Sequence, residues 1–78
     1  MAQIASAVNT PFTPAAGDFI VQCTGGVAGL QRRAVTAAAW TDVGAITSND
    51  SPIVSNPIAG AEYQFVTIVG TPTVRADQ

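Results

Sequence analysis

The chain contains no histidine and no lysine, and Cys23 is its single cysteine. Those absences exclude most catalytic chemistry. Without histidine there is no Ser-His-Asp or Cys-His arrangement to activate a nucleophile. One cysteine allows no intrachain disulfide, and a Cys/His zinc site needs about four such ligands. Charge is scarce as well. Only 10% of the 78 residues are charged, against about 25% in an ordinary domain. Three arginines face four aspartates and one glutamate, for a net charge of -2. That balance lacks the basic footprint of a nucleic-acid binder. The longest unbroken apolar run is Ala37-Ala38-Ala39-Trp40, far short of the roughly 20 residues of a helical membrane span. The N-terminus has neither the basic nor the apolar stretch of a secretory signal, so none is expected.

What is present is apolar and small. Residues of apolar type make up 47% of the chain, too many for compositional disorder. A chain of this length buries only roughly 60–65% of its unfolded surface. Such domains commonly add a disulfide, a metal or an oligomeric partner.

Residues 1–17 (MAQIASAVNTPFTPAAG) hold two prolines, Pro11 and Pro14, each lacking a backbone donor. They read as an extended N-terminal arm with little core of its own. Ile4, Val8 and Phe12, four apart, are its three apolar anchors. The arm is expected to be poorly ordered alone and ordered against a neighbouring subunit. Deleting residues 2–14 would then leave the remaining domain folded.

From Asp18 the pattern is β. Phe19, Val21 and Cys23 alternate with Ile20, Gln22 and Thr24, as the two-residue period of a strand requires. Gly25-Gly26 reads as a hairpin turn. Further strands are expected at 28–35, 40–46, 53–54, 61–69 and 71–76. Ser48-Asn49-Asp50-Ser51-Pro52, Asn56-Pro57, Gly60 and Gly70 punctuate them. Ala34 to Trp40 is alanine-rich, but Val35 and Thr36 and its shortness argue against a helix. About six short strands with turn signals every 8–12 residues predict an all-β fold, a small antiparallel β-sandwich or barrel over residues 18–78. Phe19, Val21, Leu30, Val43, Tyr63 and Phe65 are its expected core. Val66, Ile68 and Val69 put apolar side chains on both faces of one strand. This predicts burial on both sides and, in so short a chain, a partner.

The remaining chemistry has plain structural readings. Cys23 lies on an apolar strand face and reads as a small buried hydrophobe. Asp18, Asp42, Asp50 and Glu62 are on separate segments, which does not suggest a carboxylate pair. Thr24-Gly-Gly-Val-Ala-Gly29 lacks the first glycine of a dinucleotide loop and no βαβ unit follows. Ser48-Asn49-Asp50 lacks calcium-loop spacing. No catalytic residue, cofactor or metal ligand is assigned. Arg32 and Arg33 are neighbours on a strand and point to opposite faces, so they cannot make one basic patch. One of them shares a face with Leu30 and must reach a rim, a carboxylate or a partner chain. Trp40 reads as a core or interface anchor.

The order Gly29-Leu-Gln-Arg32, Trp40-Thr-Asp-Val-Gly-Ala-Ile-Thr47, Ile58-Ala-Gly-Ala-Glu-Tyr-Gln-Phe65 and Gly70-Thr-Pro-Thr-Val-Arg75 resembles that of small bacteriophage structural proteins. The resemblance spans residues 18–78. It departs from that pattern at residues 36–39, where Thr-Ala-Ala-Ala replaces a D-G-G turn. Gly60 to Tyr63 also resembles the tyrosine corner of immunoglobulin-like domains. The phage resemblance implies a virion component without enzymatic duty, in first place a capsid decoration, or cement, protein. It would sit on the capsid surface, bind the major capsid protein across capsomer seams and self-associate there, with no nucleic acid and no membrane as partner. Ile4, Val8, Phe12, Arg32, Arg33, Val66 and Ile68 are the candidate interface residues. A receptor- or glycan-binding module of a tail or head fibre is the alternative, which an exposed cluster of Trp40 and Tyr63 beside Asn49 and Asp50 would favour.

Overall fold

A computed structural model describes residues 1–35, 37–57 and 59–78. Thr36, in the alanine-rich stretch, and Ile58, the first residue of one phage-like motif, lie outside the described residues. The fold is all-β, with no helix among the described residues. Five strands form one antiparallel sheet: β1 (Gln3–Ala5), β2 (Gly17–Arg33), β3 (Thr41–Ile46), β4 (Ile53–Asn56) and β5 (Glu62–Asp77). β5 lies between β1 and β2, and β2 carries both β3 and β4 on its other edge.

The strand count differs from the expected six because two pairs of segments merge and the arm adds β1. The segments at 18–24 and 28–35 are a single strand of 17 residues, and those at 61–69 and 71–76 a single strand of 16. Gly25-Gly26 and Gly70 are corners within these strands, not turns between strands. Straight, β2 would run roughly 55 Å at about 3.3 Å per residue, whereas the molecule extends 29 × 28 × 16 Å. Both long strands therefore bend, and they bend together. The β2–β5 register slips between Thr24 and Gly26 and again between Val27 and Ala28. Gly25 (φ 79°) and Gly70 (φ 69°) adopt left-handed backbone, which glycine enters without steric cost. A Cβ on Gly26 would collide with the Val69 carbonyl oxygen.

Such bulges shift the side-chain alternation by one residue. On β2 the buried set is Phe19, Val21 and Cys23 before the corner, then Ala28 and Leu30 beyond it. On β5 it is Tyr63 and Phe65, then Val74 and Ala76. Each strand thus keeps its apolar side chains inside the bend, and the sheet closes over its own concave face. Five of the six expected core residues are buried. Val43 is not: it lies 39% exposed on the edge strand β3, at the register shift where Leu30 pairs with Gly44 and Gln31 with Asp42, which leaves Val43 unpaired and breaks the alternation.

The segment from 41 to 56 follows β2 antiparallel along its length. β3 pairs with residues 28–32 and β4 with 17–20. Between them, Val21 N donates to Pro52 O (3.0 Å), Cys23 N to Asp50 O (3.2 Å) and Asn49 N to Cys23 O (2.7 Å). The Ser48–Pro52 turn cluster is therefore a third corner, and its backbone polar groups are satisfied by the middle of β2.

Residues 1–17 are the largest departure from expectation. They meet the free edge of β5 near its two ends, at 76–78 and at 63–65. Ala2 and Gln78 exchange backbone hydrogen bonds of 3.0 Å, and Phe12 and Tyr63 exchange a pair of 2.8 Å. Asn9 N also donates to Phe65 O at 2.7 Å. Phe12 is buried against three rings: it stacks on Phe65 (centroids 5.4 Å apart) and Tyr63 (6.0 Å) and meets Phe19 edge-on (6.0 Å). Such pairs contribute about 0.5–1.5 kcal/mol each beyond the apolar area they bury. The arm is part of the core because a sheet bent on itself has an open side that the sheet alone leaves uncovered.

Candidate functional site

The seven candidate interface residues separate into three groups. Ile4, Val8 and Phe12 are engaged within the chain. Phe12 belongs to the core, and Ile4 and Val8 are half-buried against it. They are not available as anchors on a neighbour unless the arm detaches.

Arg32 and Arg33 point to opposite faces, as the strand period requires. Arg33 is half-buried. Its Nε lies 3.5 Å from Glu62 Oε1 without a hydrogen bond, and its guanidinium sits 4.1 Å above the Trp40 ring. Trp40 is accordingly a half-buried platform for a cation. Arg32 is exposed on the same face of β2 as Leu30 and stands opposite Tyr63 in the β2–β5 register.

Val66 and Ile68 come together on the outer face of β5. Opposite them, β2 carries Gly29, and a Cβ there would meet Val66 Cγ2 at 3.0 Å and Ile68 Cδ1 at 3.2 Å. The two side chains thus lie over bare backbone. The expectation of burial on both faces is corrected here: Ile68 is 54% and Val69 60% exposed, while Val66 is half-buried. A shallow depression of about 470 Å³ adjoins them, lined by Gly29, Gln31, Asp42, Gly44 and Ala45. Its floor carries a side-chain ladder across three strands. Gln64 Nε2 donates to Gln31 Oε1 (2.8 Å), and Gln31 Nε2 donates to Asp42 Oδ1 (3.0 Å). Apolar side chains here adjoin a hydrogen-bonded row of side-chain amides and a carboxylate.

Sequence reasoning missed Asn56. It is 1% exposed, and its Nδ2 donates to Ala15 O (2.8 Å) and Pro14 O (3.3 Å) while its Oδ1 accepts from the Tyr63 hydroxyl (3.1 Å). This amide fastens the end of the arm to β4 and β5. The Asn-Pro pair marks a turn in the sequence, and nothing in it shows that the amide turns inward. Tyr63 differs from a tyrosine corner in that its hydroxyl meets this side chain and not the upstream backbone. Being fully buried, it is also unavailable for stacking on a sugar.

Cys23 is buried, with its thiol toward Gly26 O at 3.4 Å. Asp50 Oδ1 caps Ser51 N (2.9 Å), and Ser48 Oγ accepts from Gly25 N (3.2 Å), so the polar turn is bonded into its own corner. Among the described residues no three acidic or cysteine side chains come together. The Arg75 guanidinium holds the Asp77 carboxyl below its usual range, chiefly through the side-chain hydrogen bonds at 2.8 and 2.9 Å. Compared with known protein families, with curated proteins and with solved structures, the chain matches none.

Proposed function

We propose that this chain is a non-enzymatic virion structural protein, a decoration protein that stabilises a phage capsid by binding the major capsid protein across capsomer seams. The observation that carries this reading is the outer face of β5, where Ile68 is more than half exposed beside Val66, and Val69, the next residue along the strand, is exposed as well. Large apolar side chains contiguous on a surface mark a contact with another protein. The sparse charge of the chain, 10% of residues, suits close packing between subunits, since few ionic groups would have to be desolvated. The sequence order shared with small phage structural proteins supports the same assignment, as does a rigid frame offering more than one surface. Self-association on the particle and a place on the capsid surface belong to this reading.

The experiment is to purify particles from cells expressing the chain beside its shell protein and to count copies by quantitative mass spectrometry. A fixed ratio of this chain to the major shell protein is expected. Ile68→Asp with Val69→Asp should lower occupancy strongly while leaving the melting temperature near that of the parent. Particles that carry no copies of the parent chain, or only a few at one vertex, would overturn the reading.

A further inference from the structure

On the opposite side of the sheet from Val66 and Ile68, β3 and β4 leave a groove of about 350 Å³ between them. Its walls include Leu30, Ile46, Ile53 and Val54. Each of the two strands pairs with β2 along one edge only, so each has an edge not taken up by the sheet. All of β3 except Ile46 is exposed. Edge strands usually carry lysine, proline or inward charge to prevent further pairing. Thr41–Ile46 has none of these beyond Asp42, which is bonded to Gln31 on the other face.

Arg32 stands at the mouth of this groove and also lines a second hollow of about 320 Å³ with Ala34, Asn56, Pro57 and Ala61. Neither lining contains an aspartate or glutamate. The other two arginines are matched within the chain, Arg33 with Glu62 and Arg75 with Asp77. Among the described residues Arg32 is thus the one arginine without an ion pair, and it stands at the meeting of two hollows whose linings carry no acidic group.

We infer that this groove is a docking slot for an extended, mostly apolar peptide segment of a partner chain that places one carboxylate on Arg32. Free strand edges select extended backbone by strand addition. The apolar walls select alternate apolar side chains, and a guanidinium takes a carboxylate through two parallel hydrogen bonds. A polyanion is the wrong match, because binding nucleic acid requires many cations and this groove has one. The inference rests on the reading above that the chain binds other proteins, and it supplies the chemistry of one partner segment.

The test uses the ¹⁵N-labelled full chain and two synthetic peptides, acetyl-Val-Thr-Val-Thr-Asp-Thr-amide, whose valines and aspartate share one face when extended, and the same peptide with Asn for Asp. The Asp peptide should shift the amide signals of Thr41–Ile46 and Ile53–Asn56 and bind about tenfold more tightly than the Asn peptide, as loss of one charge-assisted bond implies. Arg32→Gln should abolish that difference, and Val43→Asp should weaken the Asp peptide by placing a competing anion at the slot. Equal binding of the two peptides, no binding at millimolar concentration, shifts confined to Val66–Val69, or displacement by equimolar inorganic phosphate would each overturn the slot. Particle attachment of Arg32→Gln separates this from the functional reading. Undiminished attachment removes the slot and leaves decoration standing. Peptide discrimination without attachment of the parent chain removes decoration and leaves the slot.

Discussion

Single side chains set most of the stability. Phe12 is the sharpest case, because one ring closes a four-ring cluster with Phe19, Tyr63 and Phe65. Phe12→Ala should cost about 3–5 kcal/mol, the usual range for emptying a buried aromatic site. A domain of this size has only about 4–12 kcal/mol in total, so the variant should lose a large share of its stability. Urea denaturation of parent and variant measures it, and a change below about 1 kcal/mol would mean that the arm adds nothing to the core. Asn56 acts through satisfaction of polar groups. Asn56→Leu would leave the Tyr63 hydroxyl and the Pro14 carbonyl without their partner, while the Ala15 carbonyl keeps Gln78 Nε2 at 2.8 Å; the loss is about 1–3 kcal/mol for each group left buried and unbonded. Arg75 and Asp77 bear on pH. The folded-state carboxyl of Asp77 is depressed by its hydrogen bonds to Arg75. The pair therefore contributes stability above the ordinary aspartate range, and that contribution is lost as pH falls through the depressed value. Carboxyl chemical shifts should show Asp77 titrating at lower pH than it does in Arg75→Gln.

At the scale of elements, the corner matters more than the strands. β2 and β5 stay paired on both sides of it although their register slips there, and their glycines fail for different reasons if replaced. Gly70→Ala would hold a Cβ in left-handed backbone, at about 1–2 kcal/mol. Gly26→Ala would drive a Cβ into the Val69 carbonyl oxygen. Overpacking of that kind costs about 1–3 kcal/mol and forces the two strands apart. Thermal melts should rank both variants well below Gly44→Ala, whose new Cβ would meet nothing within 4 Å. Equal melting temperatures for all three would show that the corner tolerates side chains.

At the scale of the whole molecule, three antiparallel tracks share one bend, β5, β2 and the 41–56 segment, and the arm joins β5 near its two ends. The arm and the 41–56 segment each satisfy part of an edge of a long strand. Removing residues 2–14 would strip β5 of β1 and of the Phe12–Tyr63 pair of hydrogen bonds and would uncover the aromatic cluster. The truncated chain is expected to lose cooperative unfolding or to aggregate through the bared edge. Circular dichroism and sedimentation velocity check this, and a monomeric truncation with a sharp melt would restore the view of the arm as separable. The same topology divides the surface in two. The outer face of β5 carries Val66 and Ile68, and the opposite face carries the Arg32 groove, so one small chain could touch two neighbours at once.

Alternation along the chain was enough to establish the all-β class, the faces of β2 before its corner, and Phe19, Val21, Leu30, Tyr63 and Phe65 as core. These follow from a two-residue period and from apolar burial, which are local properties of the sequence. Val43 read as core by the same rule, because alternation in sequence does not show where a register shift leaves one residue unpaired, as it leaves Val43 between Asp42 and Gly44. Gly25-Gly26 and Gly70 read as turns because a glycine that reverses the chain and a glycine that bends a continuing strand look alike in sequence. Only the pairing of β2 with β5 on both sides of the corner distinguishes them. The arm was the hardest part to read. Its few anchors look insufficient when counted alone, and they suffice here because Phe12 enters a cavity already walled by three rings from β2 and β5. Of the interface, Val66 and Ile68 were legible as apolar residues on the face opposite Tyr63 and Phe65, but their exposure was not. The isolation of Arg32 depends on where every carboxylate lies in space, and a linear pattern does not contain that arrangement.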